Sequence, residues 1–216
     1  MLNIQRFKCN PLGENTYVVS DETKECVIID CGAWQEYEKN AIKEYICNNS
    51  LIPKHLIATH GHVDHHLGDK FIYNTWGLKP EANSGDSEFM QKLPQQANGI
   101  CGISGISDDY IVPVGKWLSG KDTINFGMHK FTILETPGHS PGSIAYYCDN
   151  EKALFTGDTL FRGTIGRTDI SGGSIFLIIQ SLRKLSQLPD DVTVYPGHGE
   201  KTTIGYEIAS NPYLDR

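Results

Sequence analysis

The sequence lacks any run of 18 apolar residues, so nothing in it reads as a membrane-spanning helix. It is also short of positive charge. Lysine and arginine number 19 against 26 acidic residues, a formal net charge of -7. A nucleic-acid binder usually shows a basic face, and a peripheral membrane protein a polybasic segment. Neither nucleic acid nor a membrane is therefore expected as a partner. The N-terminus reads MLNIQRFKCN, with Arg6 and Lys8 where a secretory leader needs its apolar stretch. A cytoplasmic location is expected. The six cysteines form no CxxC pair and have irregular spacing. They read as reduced, mostly buried thiols; a Cys26–Cys31 disulfide is the lesser reading. No low-complexity stretch or linker interrupts the 216 residues, so a single domain over 1–216 is expected.

What is present is ordinary globular material, 39% hydrophobic with 22 glycines. Asn15–Ser20 and Glu25–Asp30 are short β-branched runs flanking a polar turn, which predicts a hairpin. The spacing of Trp34, Tyr37, Ala41, Ile42, Tyr45 and Ile46 predicts a helix ending near Asn49. His55–Thr59 reads as a buried strand, and Asp64 as the cap of a helix beginning near His65. Residues 81–120 are the least regular, rich in glycine with Pro94 and Pro113. Ser87–Gln96 could be helical there, within a surface excursion of the kind that covers binding sites. Strands return at Phe131–Glu135, Ser143–Cys148, Ala153–Thr156 and Val192–Tyr195. Helices are expected at Ile175–Leu188 and Thr202–Ser210. The two strand-rich parts, 1–80 and 121–200, suit two sheets packed face to face with helices outside.

The strongest chemical signal is Thr59-His60-Gly61-His62-Val63-Asp64-His65-His66, directly after a strand. Four of the eight histidines fall in seven positions. Imidazoles and a carboxylate suit a borderline cation such as zinc. Three further candidates stand at glycine-flanked ends of apolar runs. They are His139 in Thr136-Pro137-Gly138-His139-Ser140-Pro141-Gly142-Ser143, Asp158 in Thr156-Gly157-Asp158, and His198 in Pro196-Gly197-His198-Gly199. One histidine in a turn is usually a surface residue; three such sites beside the cluster are not so easily set aside.

Together, HxHxDH, TPGHSPGS, TGD and PGHG resemble the metallo-β-lactamase superfamily, and within it the short glyoxalase II-like hydrolases. Gly166-Arg167-Thr168-Asp169, Ser171-Gly172-Gly173 and Asn211-Pro212-Tyr213-Leu214 add to the likeness, which runs from about Asn15 to Leu214. The resemblance implies an α/β (α+β) chain folded as a four-layer αββα sandwich. It implies two divalent metal ions, zinc first, with iron or manganese also suited. His60, His62 and His139 would hold metal 1. Asp64, His65 and His198 would hold metal 2, and Asp158 would bridge them. The implied reaction is hydrolysis of a small-molecule thioester by a hydroxide bridging the metals, oriented by Asp64. A thiolate leaves readily, its conjugate acid having a pKa near ~8.5, so no separate acid is assigned. Full-length glyoxalase II has a further C-terminal helical domain that grips glutathione. Here the sequence ends at Arg216, soon after His198, which leaves a smaller thiol ester or another acyl compound open.

Other readings share the fold. A mononuclear iron persulfide dioxygenase would use His60, His139 and Asp158 alone; the Ser-Pro-Gly-Ser and Pro-Gly-His-Gly continuations favour the hydrolase. A lactonase stays open, while acidity weighs against a nuclease and the N-terminus against a periplasmic β-lactamase. A non-catalytic relative would have lost a ligand. Arg167 and Asp169 are candidates for fixing the ligand loops or meeting a substrate carboxylate, with surface pairing as the plain alternative. Arg162 is a weaker anion-binding candidate. His66 is surplus to the ligand set and expected on the helix surface or behind a ligand. His55, His129 and Cys101 read as structural. Thr59 reads as either a packing residue or a partner to a ligand loop. The oligomeric state cannot be read from the sequence.

Overall fold

A computed structural model describes residues 1–104 and 106–214. Chain order begins with a three-stranded meander, β1 (Asn3–Cys9), β2 (Glu14–Ser20) and β3 (Glu25–Ile29), followed by α1 (Glu36–Asn48) and β4 (Ile52–Ile57). After a 3-10 turn at Val63–His65 come α2 (Asp69–Trp76), β5 (Pro80–Asn83), α3 (Ser87–Gln91), α4 (Leu93–Ile100) and β6 (Lys116–Leu118). The second half holds β7 (Thr123–Phe126), β8 (His129–Glu135), β9 (Ile144–Cys148) and β10 (Ala153–Gly157). It continues with a small hairpin of β11 (Leu160–Phe161) and β12 (Thr164–Ile165), α5 (Ile175–Leu185), β13 (Thr193–Pro196), β14 (Thr202–Thr203) and α6 (Ile204–Ser210).

The strands form two six-stranded sheets, in the orders β1-β2-β3-β4-β5-β6 and β14-β13-β10-β9-β8-β7. Between them lies a core of Tyr17, Val19, Val27, Ile29, Ile57, Phe126, Phe131, Tyr146 and Phe155. The outer face of the first sheet packs Val18, Ile28 and Leu56 against Ile42 and Ile46 of α1 and Ile72 of α2. The outer face of the second packs Ala145, Leu154 and Val194 against Leu182 and Leu185 of α5 and Ile204 of α6. Strands β2, β9 and β10 are buried along their whole length because both of their faces are covered. This is the expected αββα sandwich.

Local chemistry sets the element ends. Gln35 and Glu38 close a capping box at the start of α1. Ser174 caps α5 by accepting from the Leu177 amide. All six cysteines are free and four are buried, so no Cys26–Cys31 bridge forms.

The first thirty residues read as strands, and β1 is one of them, an edge strand whose Arg6 and Lys8 discourage sheet-to-sheet association. Three expectations need correction. No helix starts at His65. His65 and His66 turn inward to buried carboxylates, and α2 begins only at Asp69. The stretch 81–120 contributes β5 and β6 to the first sheet and two helices that break at Lys92, with Pro94 in the first turn of α4. Finally, Thr202 and Thr203 form β14, and Thr203 caps α6 through its hydroxyl.

Candidate metal centre

Strand ends deliver the chemistry to one rim. The loop after β4 brings His60, His62, Asp64 and His65; the loops after β8, β10 and β13 bring His139, Asp158 and His198. All seven side chains meet. The ligand-capable atoms of His60, His62 and His139 lie within 4.8 Å of one another, as do those of Asp64, His65 and His198. Asp158 spans the two sets. Its Oδ1 is 3.5 Å from His65 Nε2, and its Oδ2 is 3.6 Å from both His139 Nε2 and His198 Nε2. His198 Nε2 is also 3.2 Å from Asp64 Oδ2.

Hydrogen bonds behind the rings fix which nitrogen faces inward. His139 Nδ1 donates to the Arg167 carbonyl at 2.8 Å, so its Nε2 carries the lone pair. His65 Nδ1 donates to Asp30 at 2.8 Å. His60 Nδ1 lies 3.1 Å from Thr59 Oγ1, whose own proton goes to Asp30 at 2.8 Å. The inward atoms are then left without partners: His60 Nε2, His65 Nε2 and Asp158 Oδ1 are buried and make no hydrogen bond. His62 Nδ1 and His139 Nε2 stand 2.8 Å apart. Buried polar atoms are normally satisfied, and a convergence of bare ring nitrogens and carboxylate oxygens fits a bound cation.

The electrostatics differ between the two sets. Burial, with the neighbouring histidines, holds His60 well below its ordinary value, and burial lowers His62 to about 4. Both rings are neutral, the form that ligates. Burial opposes a charge on His65, yet Asp64, Asp30 and Asp158 around it push its pKa well above the usual range. Burial also works against the charge on Asp158, but His65, His198 and His139 hold its carboxyl below the ordinary carboxylate range.

A cavity of about 590 Å³ opens over this floor, walled by Leu12, Phe89, Gln96, Arg167 and Ile170 among others. Phe89 and Gln96 come from α3 and α4, so the irregular stretch does cover the cluster. Gln96 is tied down by donating to the Phe89 carbonyl at 2.7 Å and accepting from the Val63 amide at 3.2 Å.

The remaining sequence candidates fall as follows. Arg167 lines the cavity, but its guanidinium makes a two-pronged pair with Asp169 at 2.9 and 3.0 Å, both side chains exposed. Its contact to the ligand loop is made by its backbone carbonyl. Arg162 is not brought to the site: the β11–β12 hairpin turns at Arg162-Gly163, and the guanidinium lies over the Tyr206 ring at 5.2 Å. His66 is not on a surface. It is buried between Asp69 (2.7 Å) and the His60 carbonyl (2.8 Å), with both nitrogens engaged. His55 pairs with Glu81 at 2.6 Å within the first sheet.

Sequence reasoning missed the supporting carboxylates. Asp30 accepts from the Thr59 amide and hydroxyl and from His65. Its signal was an acidic residue closing the apolar run ECVIID. Asp86 and Glu14 are buried too, without such a signal. Asn15 and Tyr17 hold the His198 loop by donating to the Pro196 carbonyl at 3.0 and 2.8 Å.

The metallo-beta-lactamase superfamily profile matches residues 9–198. The chain belongs to the metallo-beta-lactamase superfamily. Hydroxyacylglutathione hydrolase GloC of Haemophilus influenzae is 36% identical over 221 residues, covering 99% of each chain. BLEG-1, a B3 metallo-beta-lactamase, superposes with a TM-score of 0.86 at 31% identity, again over 99% of each chain. TTHA1623, solved in a di-iron-bound form, superposes with a TM-score of 0.84 at 32% identity, over 97% of this chain and 100% of the other. A metal-dependent hydrolase of this superfamily is thus the coarse reading of the chain.

Proposed function

We propose that the protein is a binuclear metal hydrolase that cleaves a small-molecule thioester. The carrying observation is the set of unpartnered inward atoms on His60, His65 and Asp158, with the other four groups around them. His60, His62 and His139 would hold one metal, Asp64, His65 and His198 the other, with Asp158 between. A single-metal reading on His60, His139 and Asp158 leaves the orphaned His65 Nε2 and the Asp64–His198 pair without a task. Bound there, divalent metals would supply a nucleophile from water at neutral pH and would polarise the acyl oxygen. Asp64 orients the attacking water through its carboxylate. The apolar wall of Leu12, Phe89 and Ile170 holds the substrate and excludes bulk water. A thiolate departs without a dedicated proton donor, since thiols ionise near ~8.5. Arg167, on the cavity wall, would meet a carboxylate on the substrate in exchange for Asp169. Zinc suits the donor set, and so do iron and manganese.

The testing experiment is elemental analysis of protein purified without chelator or nickel, followed by a panel of thioesters and lactones. About two metals per chain and turnover of a thioester are expected. A single iron, with no second site on titration and oxygen uptake on a persulfide, would overturn the proposal. Turnover confined to lactones would move the substrate class but keep the metal chemistry.

A further inference from the structure

Asp86 lies in the stretch that was least legible in sequence, between β5 and α3, and is 1% exposed. Its Oδ2 accepts from the Gly61 amide at 2.8 Å and from Ser140 Oγ at 2.6 Å. Its Oδ1 accepts from the Gly142 amide at 2.6 Å. Gly61 is the residue between His60 and His62, and Ser140 follows His139. One carboxylate therefore clamps the two loops that carry the three-histidine set. The fit is close on all sides. A Cβ on Gly61 would stand 2.8 Å from Asp86 Cβ, one on Gly142 2.7 Å from Asp86 Cγ, and one on Gly85 2.9 Å from the Gly142 Cα. The other set is held elsewhere: Asn10 donates to the Asp64 carbonyl at 2.8 Å, Asp30 holds His65, and Asn15 and Tyr17 hold the His198 loop.

We propose that Asp86 is a positioning residue for the three-histidine metal position alone. The inference rests on the two-metal reading above. Asp86 reaches only the loops of the three-histidine set, whereas Asp30 holds His65 directly and reaches His60 through Thr59, so loss of Asp86 disturbs one position and spares the other. Phe89, on the helix that Asp86 precedes, sets its ring 5.3 Å from the His62 ring and extends the same support to the cavity wall.

The test is Asp86→Asn in the metal-loaded protein. Asparagine keeps the size but replaces one acceptor oxygen by an amide donor, which in either orientation faces a backbone N–H, of Gly61 or of Gly142, that it cannot bond. Of the two equivalents bound, one is expected to weaken about 10–100-fold in a chelator competition, the loss typical of a partner behind a ligand. The other equivalent keeps its affinity. In the cobalt-substituted protein the shifted ring N–H signal of His139 is lost and that of His65 remains. Equal weakening of both equivalents, or of neither, in a protein that keeps its near-UV circular dichroism overturns the proposal. If Asp86→Asn does not fold, Ser140→Ala removes a single donor and is expected to weaken the same equivalent by less; no change in either equivalent overturns the proposal. A wild type that binds one equivalent overturns the two-metal reading by itself. The role of Asp86 then stands if Asp86→Asn weakens that equivalent and removes the His139 signal, and falls if it does not.

Discussion

Gly197 and Asp30 illustrate how little freedom the ligands have. A Cβ at Gly197 would stand 2.3 Å from Asp158 Oδ1 and 2.8 Å from His65 Cε1. Even one methyl group needs the space held by the Asp158 carboxylate, which spans the two ligand sets. Gly197→Ala is expected to weaken metal binding about 10–100-fold, read by chelator competition; unchanged affinity would mean that the loop yields. Asp30 holds a left-handed backbone, φ 50°, which asparagine also tolerates. Asp30→Asn therefore keeps the turn and alters only the acceptor set for Thr59 and His65. The equivalent on Asp64, His65 and His198 is expected to weaken more than the other, which Asp30 reaches only through Thr59 and His60, and the cobalt-shifted His65 N–H signal is lost. If the His139 signal is lost instead, the division of labour between the two carboxylates is wrong.

At the scale of elements, the far ends of the strands are fastened by titratable groups. Asp21, after β2, accepts from the Met128 amide at 2.7 Å and from His129 Nδ1 at 3.0 Å, linking the first sheet to the β7–β8 turn. His129 Nε2 meets Glu151 at 3.0 Å, and Glu151 also lies 3.5 Å from the N-terminal amine. Burial opposes the charge on His129, but hydrogen bonds to Asp21 and Glu151 raise its pKa above 6.5. Burial likewise opposes the Asp21 charge, and its bonds to Thr23, Met128 and His129 hold it below 3.8. The sign follows from linkage. The His129 contribution is complete below about pH 6.5 and is lost as pH rises through the raised value; that of Asp21 is lost only in strong acid. The melting-temperature gap between wild type and His129→Gln should thus be widest near pH 5–6 and shrink toward pH 9; a gap that widens with pH would refute the assignment. None of this clasp was visible beforehand: His129 read only as a structural residue. The layers were legible, because alternation in β8 and unbroken apolar runs in β9 and β10 report which faces are covered. β5 was not, since it is four residues long and its two buried positions, Pro80 and Ala82, carry no β-branched or aromatic signal. The ligands were legible because metal chemistry restricts residue types at close spacing. Asp30 left only the acidic end of an apolar run, and Asp86 nothing, because the amides that mark a buried carboxylate are brought to it by folding.

Over the whole molecule, the cost of the site is concentrated negative charge. The chain already carries a formal net charge of -7, and Asp64, Asp158, Asp30 and Glu14 are gathered around one buried histidine, His65. Burial pushes the Glu14 carboxyl well above its usual range, Asp30 and Asp64 add to this, and its Oε1 has no hydrogen-bond partner. Repulsion of this kind is tolerated in a fold that binds cations at the same place, because anything that binds only the folded state stabilises it by mass action. At free metal 1,000 times the dissociation constant the gain is about 4 kcal/mol per site. For a chain of this size about 1 kcal/mol moves the melting temperature by about 2–4 °C. Removing metal with a chelator should therefore lower the melting temperature by about 8–16 °C for each site emptied, and returning zinc should restore it. The loss should come in two steps if the positions are supported separately by Asp30 and Asp86, and in one if the seven ligands act as a unit. A metal-free protein that melts where the loaded protein does would show that the cluster binds no cation with useful affinity, and the hydrolase reading would fall with it.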